Sequence, residues 1–231
     1  MDEQEIRKSA ALEERHWWYA ERRALVRRLV APLPVGRAVD VGCGGGGNTR
    51  VLRDLGWQVT GLEYSPVAAS LAASRGLQVV RGDSRRLPFA DGALDLVMST
   101  DMWEHVDDDQ AVARETARVL RPGGRALVAV PCSMKLWSGH DVALGHHRRY
   151  ERAELVALME GAGLDVVDVM SWNVLLRPIA RLRRRHNDSE SEMEEVHPVV
   201  NAGLRLAVAA ERYLPVGRLP GISLVARAVK R

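Results

Sequence analysis

The residues best equipped for chemistry fall in two groups, and the first is Asp40 with the glycines at 42, 44, 45, 46 and 47, inside AVDVGCGGGGNTRVL at positions 38–52. These glycines remove the Cβ atoms that would hold a ligand off the backbone, and they permit positive φ. A helix starting near Asn48 would add unpaired N–H groups above the turn. The spacing Gly42-x-Gly44-x-x-Gly47 by itself also satisfies a dinucleotide fingerprint. Asp40 shifts the reading, because a carboxylate beside the cradle repels a pyrophosphate and holds an ammonium. S-adenosylmethionine carries an ammonium and no phosphate. Glu63, 21 residues after Gly42, stands near the offset at which an acidic residue meets ribose hydroxyls, and both nucleotides supply those.

The second group lies later, in Trp137, His140, Asp141, His146, His147 and Tyr150, with His105 upstream. By composition His140, Asp141, His146 and His147 resemble a metal-ligand set, but their spacing is not a recognised zinc pattern, so no metal is expected. Beside a ligand that carries a sulfonium such residues could align an acceptor and exclude water, with a base needed only where the attacking atom carries a proton. His140, His146, His147 and Tyr150 are the candidates for that proton. Trp17, Trp18, Tyr19, His105, Trp137 and Asp141 are candidates for contact with the acceptor.

These groups need a scaffold. Apolar residues at helical spacing predict one helix over positions 10–30, stopped by Pro32 and Pro34. It carries His16-Trp17-Trp18-Tyr19, an aromatic run in a chain with only 5% aromatic residues, as a wall packed on the sheet or a lid. Strands are expected at Arg37–Val41, Gln58–Glu63, 77–83, 94–99, 125–130, 165–171 and 222–229. Helices fall between them: one after the glycine turn, one opened by Ser65-Pro66, one over 108–120 with Asp107 as its cap, and one over 151–163. Asp83 and Ser84 then end the third strand, where they could meet an adenine edge. Strands alternating with helices predict a doubly wound, mostly parallel seven-stranded sheet.

From Arg37 to Pro131 the order Asp40 and its glycines, Glu63, Gly82-Asp83, LPF at 87–89, Asp95, Glu104-His105 and RPGG at 121–124 resembles the class I S-adenosylmethionine-dependent methyltransferases. The HWWY run and the stretch from Trp137 to Tyr150 are similar to a bacterial, type 11-like subset. The resemblance implies a Rossmann-like fold with S-adenosylmethionine as cofactor. Asp40, Gly42, Gly44 and Gly46 would surround its methionine half. Glu63, with Tyr64 beside it, would meet the ribose, Asp83 and Ser84 the adenine, and Asp101 and Met102 would line the cofactor beyond the fourth strand.

At 231 residues the chain is expected to be a single domain: an N-terminal helical lid at 1–34, a cofactor-binding core at 35–173, a helical excursion or second lid at 174–221, and a final strand at 222–231. The excursion holds the basic cluster Arg181, Arg183, Arg184 and Arg185, then an acidic run at 188–195 that neutralises part of it. No stretch approaches the roughly 20 apolar residues that cross a bilayer. A charged N-terminus without an apolar run and only two cysteines, Cys43 and Cys132, predict a reducing, cytoplasmic setting and buried inert thiols. A net charge of +3 lacks the basic excess of nucleic-acid binders. Ser99-Thr100-Asp101-Met102 also lacks the Pro-Pro-aromatic signature of base amino-methyltransferases. The expected acceptor is therefore a small molecule, including lipid- or sugar-linked metabolites, with peripheral membrane contact left open. Two alternatives share the same pocket: cyclisation of the cofactor with release of methylthioadenosine, and cofactor binding without catalysis.

Overall fold

In the computed structural model, which describes residues 3–186 and 196–231, the strands are β1 Arg37–Val41, β2 Gln58–Glu63, β3 Val79–Arg81, β4 Leu94–Thr100, β5 Leu120–Pro131, β6 Leu164–Trp172 and β7 Ser223–Lys230. They form one sheet in the order β3-β2-β1-β4-β5-β7-β6. β7 runs antiparallel between β5 and β6, and the other pairings are parallel. The strand order reverses between β1 and β4, so a crevice opens outside their carboxyl ends, where ligands of such sheets bind.

Alternation along the strands divides the core into two layers. Val39, Val41, Val97, Val128 and Val130 face one layer with Trp103, Met159 and Leu164. Ala38, Leu96, Met98, Leu127 and Ala129 face the other, with Leu25, Val26, Val30 and Leu52. Asp40, two residues after Ala38, is carried to this second side, beneath helices α2 (Trp17–Val30) and α3 (Gly47–Asp54). There the Thr49 hydroxyl of α3 donates to its Oδ2 at 2.6 Å.

The single N-terminal helix expected over 10–30 is two helices, α1 Glu3–Leu12 and α2. The break lets Glu13 turn toward the glycines, and the Glu13 carbonyl accepts from Arg23 Nη1 at 2.6 Å. His16 restarts the chain as the cap of α2, its Nδ1 accepting from the Trp18 N–H at 3.3 Å. The third strand is shorter than expected. Helix α4 (Pro66–Ser74) starts at its Ser65 cap as read from sequence. Asp108 rather than Asp107 caps α5 (Asp109–Val119), because Asp108 Oδ1 takes the Ala111 N–H while Asp107 Oδ1 takes the N–H of Asp108. The RPGG turn is a kink inside β5: pairing to β4 shifts between Leu94 and Leu96, and Gly123 takes φ +75°.

A short helix α6 (Gly139–Ala143) follows β5, and α7 (Arg152–Gly161) precedes β6. The excursion contains α8 (Arg177–His186) and α9 (Pro198–Ala210), the latter starting earlier than position 201. α9 is locked to α2: the Trp17 N–H donates to Asn201 Oδ1 at 2.7 Å, and the buried Glu21 pairs with Arg205 and Arg212. Arg184 donates to the Leu136 carbonyl at 3.0 Å, so that arm of the basic cluster serves the fold. The acidic run at 188–195 lies outside the described residues. Cys43 and Cys132 are free and buried, and burial pushes both thiols up. No helix among the described residues is long and apolar enough to cross a membrane.

Candidate functional site

The glycine turn is built around an unspent carboxylate oxygen. Asp40 is 1% exposed, and while Oδ2 has Thr49, the buried Oδ1 has no partner. Burial raises its carboxyl, the Thr49 hydrogen bond opposes this, and the charges of Glu63 and Glu13 add to it, so that it titrates at about 7. A cationic ligand group would repay that cost. Gly42, Gly44 and Gly46 all take positive φ. A Cβ on Gly42 would lie 2.3 Å from Met102 Cγ, so the turn and the start of the loop after β4 touch. A Cβ on Gly44 would meet nothing within 4 Å, which leaves open space above the turn.

The free N–H groups expected at the helix start are partly spent. Glu13 Oε1 accepts from the Gly47 N–H at 3.2 Å, and Arg75 pairs with its other oxygen while bonding the Gly45 carbonyl. A carboxylate therefore occupies the spot a pyrophosphate would need, and the dinucleotide alternative loses its anion cradle. Glu63 receives the Gly44 N–H at 2.8 Å and the Ser65 N–H at 2.9 Å, fixing its carboxylate at the end of β2 with lone pairs to spare for hydroxyls. These residues fit the aminoacyl and ribose parts of S-adenosylmethionine. Ser84 is buried, but Arg85 grips the Asp83 carboxylate, and Tyr64 is 74% exposed; neither is aimed by a fixed contact at the turn.

The second group gathers at the carboxyl ends of β4, β5 and β6. Among the described residues, the non-glycine positions with positive φ are Asp101, Ser133 and Asn173, and they stand just beyond these three strands. Such strained backbone clusters where loops are held for a task. Unsatisfied buried polar atoms crowd the same edge: Nε and Nη1 of Arg22, both oxygens of Glu104, and both amide atoms of Asn173. Arg22, 1% exposed, lies with its guanidinium 4.7 Å from the Trp18 ring centre and 4.3 Å from that of Trp172, and it pairs with Asp101 at 2.7 Å. Trp18 is thus a wall for Arg22, while Trp17 and Tyr19 stay half-buried beside it.

Asp141 changes role. It is fully buried, and it accepts from the Ser138 N–H at 3.0 Å, from Arg149 Nε at 2.7 Å, and bonds His146 Nδ1 at 2.9 Å. Burial works against its charge, but His146 and Arg149 outweigh it and hold the carboxyl down at about 2. Asp141 therefore holds His146, Arg149 and the start of α6 together. Tyr150 is buried and donates its hydroxyl to Asp109 at 2.9 Å, and burial with the Asp109 charge raises its phenol. The rings of His105 and His146 lie 4.7 Å apart, edge to face, and burial lowers His105 to about 4. His147 is exposed and tied by its N–H to the Glu104 carbonyl; His140 and Trp137 are half-buried on and before α6. Glu13, Arg22, Glu104 and Asn173 were not among the expected site residues. Glu104 had a signal in its place beside His105, and Arg22 in lying one turn after Trp18.

Residues 39–128 match the family described as Methyltransferase domain. A relative in Mycolicibacterium smegmatis named "Probable S-adenosylmethionine-dependent methyltransferase" is 29% identical over 195 residues, 83% of this chain and 76% of that one. A protein of Mycobacterium sp. strain JLS named "Uncharacterized methyltransferase" is 37% identical over 123 residues, 52% of this chain and 49% of that one. Among solved structures, a chain of the complex between the Haloferax volcanii Trm112 methyltransferase activator and a methyltransferase superposes with a TM-score of 0.66 at 26% identity, covering 97% of this chain and 93% of that one.

Proposed function

Given that the chain belongs to the class I S-adenosylmethionine-dependent methyltransferases, we propose that it methylates a small-molecule acceptor held at the carboxyl ends of β4 and β5. The observation that carries this reading is how deeply the polar groups there are buried. Glu104 and Asp141 are almost wholly buried, and the His146 side chain is 7% exposed. A protein or nucleic-acid surface does not reach groups at that depth, whereas a small molecule does.

When bound, S-adenosylmethionine supplies an electrophilic methyl group on a sulfonium. Asp40 and the backbone of Gly42 and Gly44 hold the aminoacyl half, and Glu63 the ribose. Met102, pressed on Gly42, separates that half from the loop bearing Glu104 and His105. His146 is steadied by Asp141 on the acceptor side of the site, and α2 with α9 forms one cap that keeps water out. Ile179, Leu182, Val199 and Leu206 are exposed on the excursion, which favours an acceptor with an apolar part. We place the enzyme in a bacterial cytoplasm.

Incubation with methyl-labelled S-adenosylmethionine and cell extract, followed by ultrafiltration, tests the acceptor class. Label should appear in the filtrate of small molecules. Label confined to retained protein or nucleic acid contradicts the proposal.

A further inference from the structure

We propose that Glu104, His105 and His146 bind a divalent transition-metal ion, and that this ion receives a hydroxyl-bearing acceptor. One ligand atom from each of the three lies within 4.8 Å of the others. Both Glu104 oxygens are buried and have no hydrogen-bond partner, although the residue is only 1% exposed. A carboxylate buried in this way costs stability unless something cationic meets it.

The surrounding charges leave Glu104 as the unmatched one. Arg22 meets Asp101 at 2.7 Å through Nη2 and Arg149 meets Asp141 at 2.7 Å through Nε, and neither guanidinium hydrogen-bonds Glu104. His146 gives Nδ1 to Asp141, so Nε2 is the nitrogen left for a ligand. A carboxylate behind an imidazole is the usual outer support of a metal-binding histidine. Asp141 is itself held by the Ser138 N–H and Arg149, so the support is fixed before any ion arrives.

Two imidazoles and one carboxylate suit manganese, iron, cobalt or zinc better than calcium. Three protein ligands leave coordination positions open. A hydroxyl on such an ion gives up its proton more readily than in water. That proton leaves to solvent, the oxygen's electron pair forms the bond to the methyl carbon, and the carbon–sulfur pair returns to sulfur as a neutral thioether. The acceptor half of the proposal rests on the small-molecule methyltransferase reading, whereas the ion site does not. Ligand spacing along the chain could not reveal it, since Glu104 and His105 follow β4 while His146 follows β5.

The test is a titration of chelator-treated, full-length protein with Co²⁺, read by visible absorption, without cofactor or acceptor. The expected result is one saturable site per chain with a nitrogen-ligand d–d band. Affinity should fall at least about tenfold in Glu104→Gln and His146→Gln, and stay unchanged in the exposed His197→Gln. Should those variants misfold, paramagnetic broadening in the wild type must strike the ring protons of His105 and His146. Absence of saturable uptake, uptake unchanged in both variants, or broadening of other histidines overturns the proposal. Because no methyl transfer is measured, such a failure leaves the methyltransferase reading intact.

Discussion

Asp40→Asn should weaken binding of S-adenosylhomocysteine by about 2–3 kcal/mol, on the order of 30- to 150-fold, the scale of a lost hydrogen bond to a charged group. The unpartnered Oδ1 is the atom that would meet the ligand's ammonium. The wild-type affinity should depend on pH in a direction set by the raised carboxyl. Below about 7 the carboxyl of Asp40 is mostly protonated and a poor partner for a cation, so affinity rises as pH passes through that value. Only in distinctly alkaline solution does the ligand's own amine lose its proton and affinity fall again. The Asn variant should lack the lower limb of this profile.

The same substitution should stabilise the ligand-free protein at pH 8. A carboxyl raised in the folded state binds its proton more tightly there than in the unfolded chain. The stability it contributes is present below about pH 4 and is lost as pH rises toward 7. Asn is neutral and can still accept from Thr49, so unfolding at pH 8 should need a few kcal/mol more, as an order of magnitude. Calorimetry at several pH values with thermal melts checks both halves. An Asn variant that binds as the wild type does, with the same pH profile, would refute the ammonium role.

Asp141→Asn should have the largest effect on folding and turnover together. It removes the anion that faces Arg149, whose side chain is 2% exposed, and frees His146 at once. An uncompensated buried guanidinium costs about 3–5 kcal/mol. The loss of an oriented imidazole should lower kcat by at least about 10²-fold while cofactor affinity stays near the wild-type value, because the bonds of Asp141 run to Ser138, His146 and Arg149 and to no residue of the glycine turn. Denaturant unfolding and steady-state kinetics measure these separately. A variant of wild-type stability, or one that loses cofactor affinity in proportion to kcat, would contradict the positioning role.

The two ends of the site differ in how far the chain announces them. β1 and β2 stand at Arg37–Val41 and Gln58–Glu63 as read from sequence, because short apolar runs with a carboxylate at or near the end leave little freedom of register. The cofactor turn is contiguous, so glycine spacing and Asp40 suffice to expose it. The acceptor side is assembled from α2 and the loops after β4, β5 and β6, and residue type says nothing of which side chain ends buried. Asp141 and Tyr150 read as free reactive groups, yet both are engaged by buried partners. Glu13 is legible only once the break between α1 and α2 brings it onto Gly47, and Asn173 carries no signal in its neighbours.

The central claim is that the pocket moves the methyl carbon and no other carbon of the sulfonium. Asp40 bears on this, since a carboxylate paired to the ammonium keeps it protonated and opposes its attack on the cofactor's own γ-carbon. Mass spectrometry of the nucleoside product, after incubation with S-adenosylmethionine with and without extract, measures it directly. The predicted result is S-adenosylhomocysteine formed only when an acceptor is supplied. Enzyme-dependent methylthioadenosine, formed without acceptor and above the spontaneous rate, would contradict the account.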